Sequence, residues 1–254
     1  RRLYQASVPV YSKLMELREQ HRPGHSTRVA DQAAKLAEEM GLDEMTVQNI
    51  YTAGLLHDIG MIGMPDELRR RSYFLLTEGD KEQVHKHPIK GQAALTALEP
   101  LHDVGLLIRA HHERFDGKGY PDGLKGDGIP LGARVLAVTD SYDTYLYDML
   151  EKDQHAAGQA RTYLLEERSL MFDPDVVDAY VRFLDEDIGG DTLHELQLTS
   201  NEIQPGMVLA KDLVSRDGIL LFTRAKEITA TMVNRLKALE RDLDDRLVFH
   251  VLGE

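Results

Sequence analysis

The chain has 254 residues, 30 Lys and Arg against 43 Asp and Glu (formal charge −13), 11 His and no Cys. That length suits one large domain, or one large and one small, and 42% hydrophobic with 29% charged residues is ordinary globular composition. Zero Cys excludes disulfides, thiolate metal sites and a cysteine nucleophile, and the acidic balance argues against a nucleic-acid polymer as partner.

The N-terminal stretch RRLYQASVPVYSKLMELREQ has no apolar block followed by a small-residue cleavage site, so it does not read as a signal peptide. It begins without Met, which points to a piece of a longer protein. No run of about 18 apolar residues marks a membrane span, and a cytoplasmic location is expected. From Val29 the apolar residues Val29, Ala33, Leu36 and Met40 recur at helical steps, and Gly41 ends that helix. Asp43 caps a second helix, with Val47, Ile50, Gly54 and Leu55 on one face, stopping near Gly60. Thr77 with Asp80 has the spacing of a capping arrangement for a third helix, ended by Pro88. GQAALTAL makes a fourth, and a fifth carries Val104, Leu107, Ile108 and His111. FDGKGYPDGLKGDGIP is a loop, after which Pro130 opens a long helix, LGARVLAVTDSYDTYLYDML. The pattern changes after IGGD at 188–191. ELQLT alternates, QPG turns, and MVLAKDLV and ILLF read as strands joined by SRDG. A helix, TATMVNRLKALERDL, and a last strand, RLVFHVL, follow. The expected fold is mainly α, with a helical domain over 1–190 and a small α+β, β-rich appendage over 191–254.

Eight of the 11 His lie between His21 and His112, where even spacing would put about four. His57-Asp58 ends the apolar helix AGLL, His111-His112 follows GLLIRA, and His87 precedes Pro88. Asp140 interrupts an otherwise apolar helix, and if buried it needs a cation, a donor or water. Neutral imidazole with carboxylate is a ligand set for iron, manganese, zinc and related ions. Adjacent residues sit about 100° apart on a helix, so both members of a pair reach one ion only where the helix unwinds. Gly60 and Gly117 supply those ends. Asp58, with two oxygens, could bridge two ions. A single His is more often a hydrogen-bonded structural group than a ligand; the paired settings favour ligation for His57, Asp58, His111 and His112. Asp140 reads either as a ligand or as an exposed carboxylate on an amphipathic face. His85, His102, His155, His194 and His250 have no partner arrangement and read as solvated or structural.

GHSTRVA (24–30), HDIGMIGMPD (57–66), HPIKG (87–91), HHERFDGKGYPDGLKGDGIPLGAR (111–134) and LAVTDSYD (136–143) stand in the order of the HD-GYP family, which the chain therefore resembles. That family is a branch of the HD-domain metal phosphohydrolases. The resemblance implies a helical HD-type domain, cyclic di-GMP phosphodiesterase activity and a centre of two or three divalent ions, often iron or manganese. Carried over by motif, the ligands would be His25, His57, Asp58, His87, His111, His112 and Asp140. Asp58 would bridge, His57 and Asp58 would form the catalytic core, and Gly119-Tyr120-Pro121 would form the signature loop. His21 stands where three-metal members carry Glu and is a candidate for a third ion. Implied partners are cyclic di-GMP or a related phosphoester, an upstream sensory or receiver domain and diguanylate-cyclase-type proteins; the chain alone fixes no oligomeric state.

Two departures touch substrate handling. The residue after HDIG is usually Lys and here is Met61, and the Arg-Pro-Tyr stretch expected after TDSYD reads TYLYDML. The chemistry expected is in-line attack on phosphorus by a hydroxide shared between two ions, giving pGpG or GMP. Arg114 and Lys118 are the nearest cationic candidates for phosphate contact, unless Arg114 pairs with Glu113 or Asp116. Tyr120 either stacks on a guanine or packs the loop. The alternatives are a degenerate member that binds metal or nucleotide and signals by contact, and an HD hydrolase of another phosphoester.

Overall fold

The computed structural model describes residues 8, 10–13, 24–69, 76–150, 156–189, 195–215, 219–224, 226–243 and 246–252. They divide into two compact units, one carried mainly by His25–Leu184 and one by Asp185–Glu254, so the division falls inside a helix. His21, His155 and His194 lie outside the described residues.

The first unit is helical. In chain order it holds α1 (His25–Glu39), α2 (Glu44–Leu56), a 3-10 turn (Ile59–Met61), α3 (Asp66–Arg69), α4 (Glu78–Val84), α5 (His87–Leu95), a second 3-10 turn (Glu99–Leu101), α6 (His102–Ala110), α7 (Leu131–Leu150), α8 (Ala156–Glu166) and most of α9 (Pro174–Gly189). Asp43 caps α2 by accepting from the N–H groups of Met45 and Thr46 at 3.0 and 3.1 Å. Thr77 and Asp80 form the reciprocal capping box of α4. The core gathers residues of the stripes expected from the sequence, with Val29, Ala33, Leu36, Ile50, Leu55 and Ile108 buried, and adds Leu136 and Tyr180 to them. Burying each large aliphatic chain contributes about 1.5–3 kcal/mol. α1 packs on α2 and α7, α6 on α2 and α5, and α5 on the turn Ile59–Met61. The N-terminal ends of α1 and α5 and the C-terminal ends of α2 and α6 thereby meet.

Two helix boundaries differ from expectation. The third predicted helix ends at Val84, and Pro88 stands in the first turn of α5, which starts at His87. Proline is tolerated there because the first N–H groups of a helix have no intrahelical partner. α1 begins at His25, one turn before the first periodic apolar residue.

In the second unit β1 (Glu195–Thr199) pairs antiparallel with β4 (Val248–Leu252), Glu195 opposite Leu252. β2 (Leu213–Val214) pairs with β3 (Leu220–Phe222), and α10 spans Ala230–Leu243. Ile203, Leu209, Leu213, Ile228, Leu236, Phe249 and Val251 form its core. MVLAKDLV is not one strand. Leu209 bridges to Val251 of β4 while Leu213 pairs with Phe222 of β3, so the run is shared between two sheets. No helix among the described residues is long and apolar enough to cross a membrane.

Candidate metal centre

His57 sits where α2 ends, and the turn that follows carries Asp58 out of the helical spiral. Its Nδ1–H donates to the Gly54 carbonyl at 2.8 Å. His87, at the start of α5, donates from Nδ1 to Val84 at 2.8 Å, and His111, at the end of α6, donates to Ile108 at 2.6 Å. Each carbonyl is a pure acceptor, so each of these rings carries a proton on Nδ1 and turns Nε2 inward, as a lone pair on His87 and His111, whose pKa values are lowered. Gly60 allows the two helix ends to approach: a Cβ there would lie 2.0 Å from the His87 carbonyl oxygen and 2.8 Å from Gly91 N.

The inward atoms form two triads, His25–His57–Asp58 and His87–His111–His112, with the ligand-type atoms of each within 4.8 Å of one another. Asp58 stands between them: Oδ2 is 3.3 Å from His57 Nε2 and Oδ1 is 3.5 Å from His87 Nε2. Asp140 joins the first triad, with Oδ1 3.2 Å from His25 Nε2 and 3.9 Å from His57 Nε2. His25, His57, His87 and His111 are buried. His57, Asp58, His87, His111, His112, His25 and Asp140 are thus brought together, and Asp140 is not an exposed surface carboxylate.

Two features fit a cation to these residues. The Nε2 atoms of His87 and His111 face one another at 3.4 Å, yet both Nδ1 atoms already hold the ring protons, so two lone pairs point at each other. His57 Nε2 is buried and makes no well-formed hydrogen bond, the Asp58 oxygen beside it standing 3.3 Å away. Such a buried atom costs about 1–3 kcal/mol, and a divalent ion would satisfy it and separate the opposed lone pairs.

The electrostatics follow the triads. Burial opposes charge on His25, but hydrogen bonds to Asp140 and Asp143 outweigh it and raise its pKa to about 10. Burial also opposes charge on His57, yet Asp58 raises it to about 9. Burial and the neighbouring His87 push His112 down to about 3, and burial with His112 holds His111 well below its usual value. Burial favours the neutral form of Asp58, but His57 and His87 hold it well below the carboxylate range. The first triad is a charge-paired cluster, and the second is a set of neutral imidazoles ready to ligate.

Three supporting residues were not singled out from the sequence. Asp143 accepts from His25 Nδ1 at 2.8 Å and is gripped by Arg28 through Nε (2.7 Å) and Nη2 (2.9 Å), with all three buried. Asp143 lies one turn after Asp140, a spacing that marks a shared helix face. Glu113, also buried, accepts from the N–H groups of Asp122 (2.6 Å) and Leu124 (3.0 Å) and so holds the loop after Tyr120. At Gly119 a Cβ would lie 2.2 Å from Arg114 N, so that loop closes only around glycine.

Of the substrate candidates, Arg114 pairs bidentately with Asp116 at 3.1 and 2.9 Å, the local pairing weighed above. Lys118 is exposed on the loop. Tyr120 has its ring stacked on His85, centroids 3.9 Å apart, so packing occupies one face of that ring. Met61 packs beside Met64, Leu76 and Val84.

Residues 9–176 match the family described as HD domain. Over 157 residues the chain is 40% identical to the cyclic di-GMP phosphodiesterase response regulator RpfG of Xanthomonas campestris pv. campestris, covering 61% of this chain and 41% of that protein. It is 33% identical over 177 residues to a cyclic di-GMP phosphodiesterase of Thermotoga maritima, covering 69% of this chain and 48% of that one. A solved cyclic GMP-AMP specific phosphodiesterase of V. cholerae, V-cGAP3, superposes with a TM-score of 0.55 at 18% identity, over 68% of this chain and 48% of that chain, a likeness of fold. The chain spans less than half the length of these relatives.

Proposed function

The chain belongs to the HD domain family, and from that premise we propose that it is a metal-dependent phosphodiesterase hydrolysing cyclic di-GMP to pGpG or GMP. The observation that carries this reading is the pair of triads with one carboxylate, Asp58, facing both. His25, His57, Asp58 and Asp140 would hold one ion, and His87, His111, His112 and the second oxygen of Asp58 another. Iron or manganese suits this mixture of imidazole and carboxylate. When bound, the ions would supply positive charge against the phosphodiester and acidify water near neutral pH. The chain's own part is to hold the imidazoles in the Nδ1–H form through Gly54, Val84 and Ile108, and to keep the His25 ring oriented through Asp143. Lys118 would meet a substrate phosphate from the loop, and Arg114 would contribute only by exchanging Asp116 for that phosphate. We assign the catalytic role to residues 1–190 and a packing or interaction role to 191–254.

The test is hydrolysis of cyclic di-GMP by the iron- or manganese-loaded protein, followed by chromatography of pGpG and GMP. His57→Ala should abolish turnover. Turnover of cyclic GMP-AMP or another phosphoester, with none of cyclic di-GMP, would keep the chemistry and change the substrate. A specific observation favours a second reading, a receptor without turnover: Met61 is engaged in an apolar cluster where a phosphate-directed cation is expected. Nucleotide binding without hydrolysis at full metal occupancy would select it.

A further inference from the structure

The anchoring of the second triad is uneven. His87 and His111 are each fixed by a backbone carbonyl, at 2.8 and 2.6 Å. The His112 ring makes no hydrogen bond among the described residues, so packing alone orients it. Its ring neighbours are His111 (3.9 Å between centroids), His87 (5.0 Å) and Tyr120 (5.0 Å, planes 35° apart). The backbone joins in, with Tyr120 N–H donating to the His112 carbonyl at 3.2 Å. Tyr120 is held in turn by His85, the two rings stacked at 3.9 Å with planes 16° apart. His85 ends α4, one residue after Val84, whose carbonyl fixes His87. One short stretch of chain therefore grips the triad twice: Val84 sets His87 directly, and His85 reaches His112 through Tyr120.

We propose that His85 is a positioning residue for this triad, clamping Tyr120 so that the His112 ring keeps its ligating orientation; the proposal rests on the reading of the triads as metal sites. A planar face is what the role requires. A stacked ring restrains Tyr120 against rotation about its own side-chain bonds, which an aliphatic group of similar bulk does not. Groups behind a ligand typically change metal affinity by about 10–100-fold when removed.

The test is a cobalt(II) titration of the 254-residue chain, followed by visible absorption and resolved into two sites, with His87→Ala marking the second. His85→Ala should weaken that site on the order of 10-fold and leave the other unchanged, while His85→Phe should restore it to within about twofold. If His85→Ala proves less stable to heat, His85→Leu takes its place and must weaken the same site. Unchanged affinity in Ala and Leu, or Phe as weak as Ala, overturns the proposal. A native chain that binds no cobalt overturns it together with the metal reading. A native chain that binds two ions yet hydrolyses no cyclic dinucleotide overturns only the proposed phosphodiesterase activity, and the His85 series still decides its own question.

Discussion

Asp58 Oδ1 stands 3.5 Å from His87 Nε2, while the other oxygen of the same carboxylate stands 3.3 Å from His57 Nε2. One side chain therefore faces both triads, and its loss should differ in kind from the loss of a ligand to one. Asp58→Asn keeps the shape but removes the charge and one acceptor oxygen, and should lower affinity at both sites by on the order of 100-fold. His87→Ala should empty one site only. Elemental analysis of manganese-loaded protein counts the ions, and full occupancy in Asp58→Asn would remove the bridging role.

Behind His25, Asp143 is linked to Arg28 by two hydrogen bonds inside the core. Asp143→Ala removes the carboxylate that Arg28 grips through two hydrogen bonds in the core, which should destabilise the chain by about 3–5 kcal/mol. Adding Arg28→Met should recover part of that loss, because it removes the buried charge that Asp143 balances. Urea unfolding of the two variants measures the difference. Asp143→Asn, which retains an oxygen acceptor, should fold well and lose mainly affinity for the ion held by His25, by about 10-fold. Equal stability of the single and double variants would show that the pair is not what holds Arg28 in the core.

Metal uptake should depend on pH. The pKa values of His25 and His57 are raised from 6.5 to about 10 and about 9, so the metal-free chain keeps both protons at neutral pH. A raised histidine pKa stabilises the fold fully below about pH 6.5, and that contribution is lost as pH climbs through 9 and 10. An ion needs the lone pair that each proton occupies. Uptake at pH 7 should therefore release up to about two protons, and affinity should rise with pH. Calorimetric titration with manganese in two buffers of different ionisation enthalpy reads the proton count directly. No proton release would mean that both rings are already neutral.

At Gly60 the turn after Asp58 lies against the first turn of α5, and a Cβ would sit 2.0 Å from a backbone oxygen that cannot swing aside. Gly60→Ala should push the turn away from His87, costing roughly 1–3 kcal/mol in stability and separating Asp58 from the second triad. Thermal unfolding and manganese stoichiometry should fall together. A variant of native stability and full metal content would show that the two segments part without strain.

Much of this was legible because spacing alone carries it. Asp43, Thr77 with Asp80, and the apolar steps of Val29, Ala33 and Leu36 act within one or two turns of chain, and the structure follows them. The pairs His57-Asp58 and His111-His112 stood out because polar groups rarely follow an apolar helix without a use. The supporting roles that passed unnoticed depend on contacts beyond one or two turns of chain. Asp143 meets Arg28 and His25 across more than a hundred residues, and Glu113 serves backbone N–H groups that any residue would offer. His85 looked ordinary because its partner, Tyr120, belongs to a loop whose path the sequence did not trace. Pro88 misled for a local reason: the same ring that stops a helix also suits the first turn of the next.

Met61 offers the most direct test of how far the site is tuned. Its N–H donates to the Asp58 carbonyl at 2.8 Å, so residue 61 starts from the backbone of the bridging carboxylate. Its side chain lies on the cluster of Met64, Leu76 and Val84. The methylene stem of a lysine can lie on the same surface while its ammonium extends toward solvent or phosphate. Met61→Lys should therefore cost no more than about 1 kcal/mol of stability. If a phosphodiester is the substrate, the added cation should raise turnover by about 10–100-fold. Met61→Leu is the control, matching the bulk without the charge, and should leave turnover within about twofold of the starting protein. Steady-state assays of the three proteins with cyclic di-GMP separate the outcomes. A gain confined to Lys means that the reacting phosphate passes within reach of residue 61 and that the native chain works there without a cation. Equal turnover in all three means that phosphate does not approach this turn, and the binding mode must then be built from Lys118 and the loop around Tyr120.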